Sequence, residues 1–378
     1  MDFRDSPADA EFRAAARAVL EEAVAALPGA EPPTVEERLP WFQGFQRTLR
    51  DAGYAGLAWP REYGGRDATL TEQAIFLQEY DRAGAPDRLN LLGEGLAGPT
   101  IIDFGTEEHR RRFLEPILSG EEIWCQLFSE PNAGSDLAAL ETRAERDGDG
   151  WRVTGQKVWT SRAQVASFGM LLARTGGPRH KGITYFLLPM DSEGVTVRPL
   201  RHMLGEAEFN EVFLDDVHIP DDLRIGEVDG GWRVAMATLS YERVALATGR
   251  VNVQRLVNEL VSLVAASPYA QDTAVRRKLA DLYARAQVQR VNGLRALSSL
   301  ERGTPGPEAS IGKLLSAPLV EDIADFALSL SGLDGQLDEG EPDPWLKLSY
   351  QARGTSIAGG TTFIQRNIVA ERALGLPR

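Results

Sequence analysis

Two short stretches concentrate the residue types that do chemistry. The first is Gln126-Leu127-Phe128-Ser129-Glu130-Pro131-Asn132-Ala133-Gly134-Ser135-Asp136, a strand-like run that ends in Pro, Gly and small residues. Ala133, Gly134 and Ser135 carry little side chain, so their backbone N–H groups can come close to a polar or anionic ligand. The same letters also make an ordinary polar β-turn, and the segment alone does not choose between the two. The second stretch is Gly155-Gln156-Lys157-Val158-Trp159-Thr160-Ser161, a strand pattern that sets an aromatic plane beside two hydroxyls. Trp159 is either a ligand platform or core filler.

Other chemistries have weaker support. Gly93-Glu94-Gly95-Leu96-Ala97-Gly98 matches G-x-G-x-x-G by letter, a pattern that seats pyrophosphate on a helix N-terminus when a strand precedes it. Helix-rich sequence surrounds it and Pro99 follows at once, so these read as helix-end and turn glycines. His109, His180, His202 and His218 lie far apart, and with the single Cys125 they offer no metal-ligand spacing. Gly354-Thr355-Ser356-Ile357-Ala358 ends in alanine where a serine-hydrolase elbow needs glycine. Neither a metal site nor a serine nucleophile is expected.

The elements that must position these stretches follow a simple order. Ser6 is placed to cap a first helix, with Pro7 at its first position, Asp9 three residues after the cap, and Phe12, Ala16, Val19, Leu20, Ala23 and Leu27 on one apolar face. Helical signals continue to about residue 118. Thr106 caps another helix, with Glu107 and Glu108 at its positive end and Arg110, Arg111 and Arg112 further toward the negative end. From Glu122 to about Pro220 the period changes to short β-like runs: 124–128, 151–153, 168–172, 183–188 and 195–197. Helical patterns resume near Trp232 and run to about 266, then over 273–302 and 308–332. A Gly-, Asp-, Glu- and Pro-rich loop over 332–344 precedes a last helix from Thr361 to about Leu374.

The chain has 378 residues, enough for two or three domains with a buried core. Its 43% hydrophobic and 25% charged residues are ordinary globular usage and exclude fibrous and disordered classes. A formal charge of -14 repels phosphate backbones and anionic lipid, so nucleic acid is not expected as a partner. A lone cysteine cannot close an internal disulfide, which fits a cytoplasmic protein. Met1 to Pro7 lack a basic start and an apolar run, and no later segment reaches the ~18 apolar residues of a membrane span, so a soluble, unprocessed chain is expected.

Taken together these residues resemble the acyl-CoA dehydrogenase family. The resemblance covers nearly the whole chain, from Gly56-Leu57-Ala58-Trp59-Pro60-Arg61-Glu62-Tyr63-Gly64-Gly65 through Gly98-Pro99-Thr100 and Phe104-Gly105-Thr106 to Gly360-Thr361-Thr362-Phe363-Ile364-Gln365-Arg366-Asn367. It implies an α+β multidomain fold: an N-terminal α-helical domain over 1–118, a middle β-barrel over 119–228 and a C-terminal four-helix bundle over 229–378. It further implies a flavoenzyme holding FAD, which introduces a trans double bond between Cα and Cβ of an acyl-CoA thioester and passes electrons to an electron-transferring flavoprotein.

Carried over position by position, the resemblance implies that Phe128, through its backbone, and Ser129 contact the flavin ring. Gly134 and Ser135 lie near the FAD phosphates and the CoA chain. Trp159 packs on the isoalloxazine, Ser161 hydrogen-bonds near its N5, and Thr361, Thr362 and Phe363 touch the cofactor where the last helix begins. In many relatives the base that takes the α-proton is a glutamate just before the glycine and threonine that open this helix; here that place is Gly359. A subset carries the carboxylate on the first long bundle helix, one residue before an arginine, and Tyr241-Glu242-Arg243 matches it. Glu242 is therefore the expected base, and an exposed Glu-Arg surface pair is the bland alternative. Tyr241, Arg243, Gly359, Gly360 and Ser135 are expected on the substrate, Arg243 at the CoA moiety and the Gly359 N–H at the thioester carbonyl.

Departures from the family pattern bear on assembly. The expected Arg-x-Phe-Gly is replaced by Ser267-Pro268-Tyr269-Ala270-Gln271-Asp272-Thr273, the later glycine pair is Gly332-Leu333-Asp334-Gly335, and Phe363 stands where Glu or Gln is common. The chain is thus expected either as a homo-oligomer, dimer or tetramer, or as a heterotetramer in which a paralogous chain completes the FAD site. Rival readings are a flavin monooxygenase or oxidase on the same fold and a subunit that is not catalytic alone.

Overall fold

The structure, a computed structural model, describes residues 5–203, 205, 207–247, 253–301, 308–333, 335 and 343–377. The side chains of 242–247, 297, 300, 301, 308 and 309 fall outside that description. The chain divides into two compact units, Met1–Glu242 and Arg243–Arg378.

The first unit opens with helices. Helix α1 (Pro7–Ala25) starts with the expected capping box, Ser6 accepting from the Asp9 N–H while the Asp9 carboxylate accepts from the Ser6 N–H. Its face of Phe12, Ala16, Leu20 and Ala23 packs with Phe45 and Leu49 of α2 (Val35–Asp51) and with Phe76 and Tyr80 of α3 (Leu70–Arg82). Gly93–Ala97 form one π-helical turn that runs into α4 (Gly98–Phe104), so no strand delivers the G-x-G-x-x-G letters. Gly98 lies against the Trp59 ring, where an added Cβ would stand 1.9 Å from Cζ2. Helix α5 (Glu107–Ser119) is capped by Thr106, as expected.

The β region is one sheet of eight strands: β1 (Trp124–Leu127), β2 (Arg143–Asp147), β3 (Gly150–Ser161), β4 (Phe168–Arg174), β5 (Ile183–Pro189), β6 (Val195–Leu200), β7 (Phe209–Pro220) and β8 (Arg224–Ile225). Its order is β6-β7-β3-β2-β4-β5-β8, with β1 parallel to β4. Within the described residues β6 and β8 are not paired with each other, so the sheet does not close and the expected barrel is corrected to an open sheet. The physical reason lies at the edges: β8 has two residues, both paired to β5, and β6 pairs only with β7. Strands β2 and β7 were not among the expected runs. Helix α6 (Gly231–Ala247) follows, and both it and the helix over Val253–Ala266 fall within the helical pattern expected over 232–266.

The second unit is helical. Helices α7 (Val253–Ala266), α8 (Thr273–Glu301), α9 (Glu308–Ser331) and α10 (Pro344–Thr355) share one core containing Val257, Leu260, Leu282, Ala286, Ile323 and Ala352. Helix α10 falls on residues with no expected element; Asp343 caps it, accepting from Trp345 N–H at 2.7 Å, and Pro344 occupies its first turn. Helix α11 (Thr362–Arg372) packs on α9 with Thr361 as its cap.

Candidate cofactor-binding and catalytic site

Strand β3 builds the first half of the site. Lys157 pairs with Val212 of β7 and Thr160 with Asn210, so β3 spends one extra residue across Val158 and Trp159. This bulge breaks the in-out alternation and re-aims a side chain. Trp159 sits at φ 61, a left-handed conformation costly for a bulky residue; the residue is 64% exposed, and its ring stands edge-on to Phe209 with centroids 6.2 Å apart. The structure thus removes the core-filler reading of Trp159. Ser161, at the end of β3, is half-buried.

The segment leaving β1 lies beside this bulge. Val158 N–H donates to the Ser129 carbonyl at 2.9 Å, and Lys157 Nζ donates to the Phe128 carbonyl at 3.2 Å. Phe128 is buried with its ring edge-on to Tyr185, whereas Ser129 is half-buried. A trans peptide directs the N–H opposite to the carbonyl of the residue before it. The Phe128 carbonyl faces Lys157, so the Ser129 N–H faces away, and no acceptor for it lies among the described residues. Glu130 and Ala133 close a tight turn through reciprocal backbone bonds of 3.1 Å. Beyond it Gly134 and Ser135 are exposed, and a Cβ on Gly134 would meet nothing within 4 Å.

Lys157, to which the sequence motif assigns no role, holds the arrangement together. It is fully buried and paired to Glu130 Oε1 at 2.8 Å. The Glu130 carboxylate also accepts from the N–H groups of Glu141 at 2.6 Å and Thr142 at 2.9 Å. Burial pushes the Lys157 ammonium down to about 8 against the opposing pull of Glu130. Burial also works against an ionised Glu130, but the Lys157 charge and the hydrogen bonds outweigh it and hold the carboxyl below its usual range. The signal was available: Trp151, Val153, Gly155 and Lys157 fall on one face at period two, which puts a lysine inward.

The other expected residues fall at the end of α6 and in the second unit. The Tyr241 hydroxyl donates to the Asp103 carboxylate; burial, then that carboxylate, raises its pKa. Glu242 lies on α6 in the backbone, but its side chain, like that of Arg243, is outside the described residues. Gly359 and Gly360 form a turn at φ 65 and 92, Thr361 caps α11, and Phe363 is 73% exposed. Thr362 is half-buried. Residues 267–272, where the family arginine is missing, form the turn between α7 and α8, and Asp272 caps α8 through the N–H groups of Ala274 at 2.8 Å and Val275 at 2.9 Å. The structure therefore brings the Phe128–Ser129 and Lys157–Trp159 segments together, while the C-terminal residues belong to the second unit.

An exposed aromatic plane, an outward N–H and an open glycine fit a flat ring with a phosphate tail.

Comparisons with known proteins follow the same division. The acyl-CoA dehydrogenase N-terminal, middle and C-terminal domain descriptions match residues 6–121, 125–217 and 229–374. The acyl-CoA dehydrogenase IpdE1 of Mycobacterium tuberculosis (strain ATCC 25618 / H37Rv) is 42% identical, covering 97% of this chain and 98% of that protein. The structure named Tcur3481-Tcur3483 steroid ACAD is similar with a TM-score of 0.88 and 31% identity, covering 100% of both chains. The ChsE4-ChsE5 complex from Mycobacterium tuberculosis gives 0.86 and 29%, again covering 100% of both. Three consecutive domains that match in order, with a relative of this identity over almost the full length, make this chain an oxidoreductase belonging to the acyl-CoA dehydrogenase family.

Proposed function

We propose that the protein binds FAD and removes two hydrogens from the Cα–Cβ bond of an acyl-CoA thioester, giving the trans-2-enoyl-CoA. The observation that carries this reading is Trp159: a large aromatic ring exposed at a strained bulge, beside a backbone segment anchored by a buried ion pair. Exposed strain of this kind is retained where a ligand covers it. In this reading Trp159, Phe128, Ser129, Ser161 and Thr361 to Phe363 hold the isoalloxazine, and Gly134 and Ser135 admit the phosphates and the CoA chain. Domain boundaries at 118/119 and 228/229 separate the three parts.

When bound, the flavin supplies the acceptor for the hydride from Cβ. The chain's own residues supply the proton chemistry. Glu242 takes the α-proton as a carboxylate, and the electron pair of that C–H bond forms the new double bond as the hydride leaves. The Gly359 N–H donates to the thioester carbonyl oxygen, where negative charge develops. Losing the glutamate side chain at this position leaves its amide in place. Tyr241, Arg243 and Gly360 line the substrate, with Arg243 on the CoA part.

An electron-transferring flavoprotein accepts the electrons, and a cytoplasmic location fits a single, fully buried cysteine. No described helix is long and apolar enough to cross a membrane. Two of the similar structures carry names of paired chains, and this chain departs from the family at its adenine-end residues; both favour assembly with a paralogous chain. The name steroid ACAD makes polycyclic acyl-CoA thioesters the first substrates to test.

The experiment is an anaerobic titration of the purified protein. A yellow protein bleached by an acyl-CoA, with Glu242→Gln losing at least about a thousand-fold in turnover, supports the reading. Wild-type turnover in Glu242→Gln refutes the base. Gly359 at the usual glutamate position favours a second reading, a subunit that is not catalytic alone. A colourless chain that gains flavin only with a partner supports that one.

A further inference from the structure

We propose that Lys313 is a positioning residue: its ammonium group clamps the turn at Ala358, Gly359 and Gly360 so that the Gly359 N–H stands preset as a donor. This deepens the reading above, in which that N–H meets the thioester carbonyl, and rests on it.

Helix α9 carries Lys313 to the turn. Its Nζ donates to the Ala358 carbonyl and, at 2.8 Å, to the Gly360 carbonyl. Gln365, in α11 and 5% exposed, donates through Nε2 to the Gly359 carbonyl at 3.1 Å. Three successive carbonyls are thus tied to two side chains. Each trans peptide sends its N–H opposite to its carbonyl, so these ties also set the direction of the N–H groups of Gly359, Gly360 and Thr361. Among the described residues nothing accepts from the Gly359 or Gly360 N–H. Both glycines sit at positive φ, 65 and 92, where the chain is otherwise free to relax. A cation on the Ala358 oxygen also polarises that peptide, which makes the Gly359 N–H a stronger donor.

The test uses the purified flavoprotein with Lys313→Met and Lys313→Arg, and the probe 3-thiaoctanoyl-CoA, whose sulfur at the β position blocks oxidation but leaves the α-proton ionisable. Two quantities are read: hydrogen exchange of amides 358–361, and the pH at which the bound probe loses its α-proton. Lys313→Met speeds exchange of those amides about ten-fold with α9 unchanged, and raises the ionisation pH by about one unit. Lys313→Arg restores most of both. Unchanged exchange overturns the clamp, and faster exchange with unchanged ionisation overturns the positioning role. If wild type fails to ionise the probe, the thioester reading falls, and exchange alone then judges the clamp.

Discussion

Replacing Lys157 by methionine removes the ammonium and keeps most of the apolar stem. The Glu130 carboxylate, 7% exposed, then retains the N–H groups of Glu141 and Thr142 but loses the cation at 2.8 Å. Stranding one member of a buried pair costs about 3 to 5 kcal/mol. The Phe128 carbonyl loses its donor as well. At about 2 to 4 °C per kcal/mol for a unit of this size, Lys157→Met lowers Tm by roughly 10 °C. Glu130→Gln strands the lysine instead, and the lysine can discharge. Burial already brings it to about 8 from 10.5, and without Glu130 it falls further. Between its folded and unfolded values the unfolded state binds more protons, so stability rises with pH in that window. Glu130→Gln therefore regains several degrees as pH rises from below about 8 toward 10.5, a gain that Lys157→Met lacks. Thermal melts of both variants and the double variant across this range provide the assay. In the double variant neither charge is stranded, and its loss is smaller than the sum of the two. Strict additivity, or all three variants within roughly 2 °C of wild type, would refute the clamp.

Two further outcomes follow from the same geometry. Trp159→Ala leaves the melting temperature of the flavin-free protein nearly unchanged, because the residue is 64% exposed, but weakens FAD binding by about ten-fold or more in a fluorescence titration; unchanged affinity removes the platform role. Glu79 is held by Arg13 at 3.0 Å, Arg17 at 2.8 Å and Arg82 at 2.8 Å. Burial opposes its ionisation, but the three arginines outweigh it and bring the carboxyl to about 2 from 4.5. Its stabilisation is full above 4.5 and lost as pH falls to about 2. It amounts to about 2 kcal/mol once solvent screening of the arginines is allowed for. Glu79→Gln should lack that acid slope in a circular-dichroism titration, and an equal slope in both proteins contradicts the assignment.

What the amino-acid order determined by itself was local or periodic. Ser6 with Asp9 and Thr106 with the residues after it cap helices through bonds spanning three residues, so their letters sufficed. The spacing of Phe12, Ala16, Leu20 and Ala23 foretold one buried face. The linked motifs also carried the family, because each is a contiguous string. Strand β2, Arg143-Ala144-Glu145-Arg146-Asp147, stayed hidden because four of its five residues are charged and its strand state comes from pairing with β3. Tertiary structure alone decided that the sheet stays open, since closure depends on whether its outermost strands meet. It alone turned Trp159 outward, because the bulge exists only through the register of β3 against β7. Lys157 reaches Glu130 across 27 residues, and Lys313 reaches Ala358 and Gly360 across 45 and 47. Such partners are set by the path of the backbone through space, and no window of sequence short enough to read contains both ends.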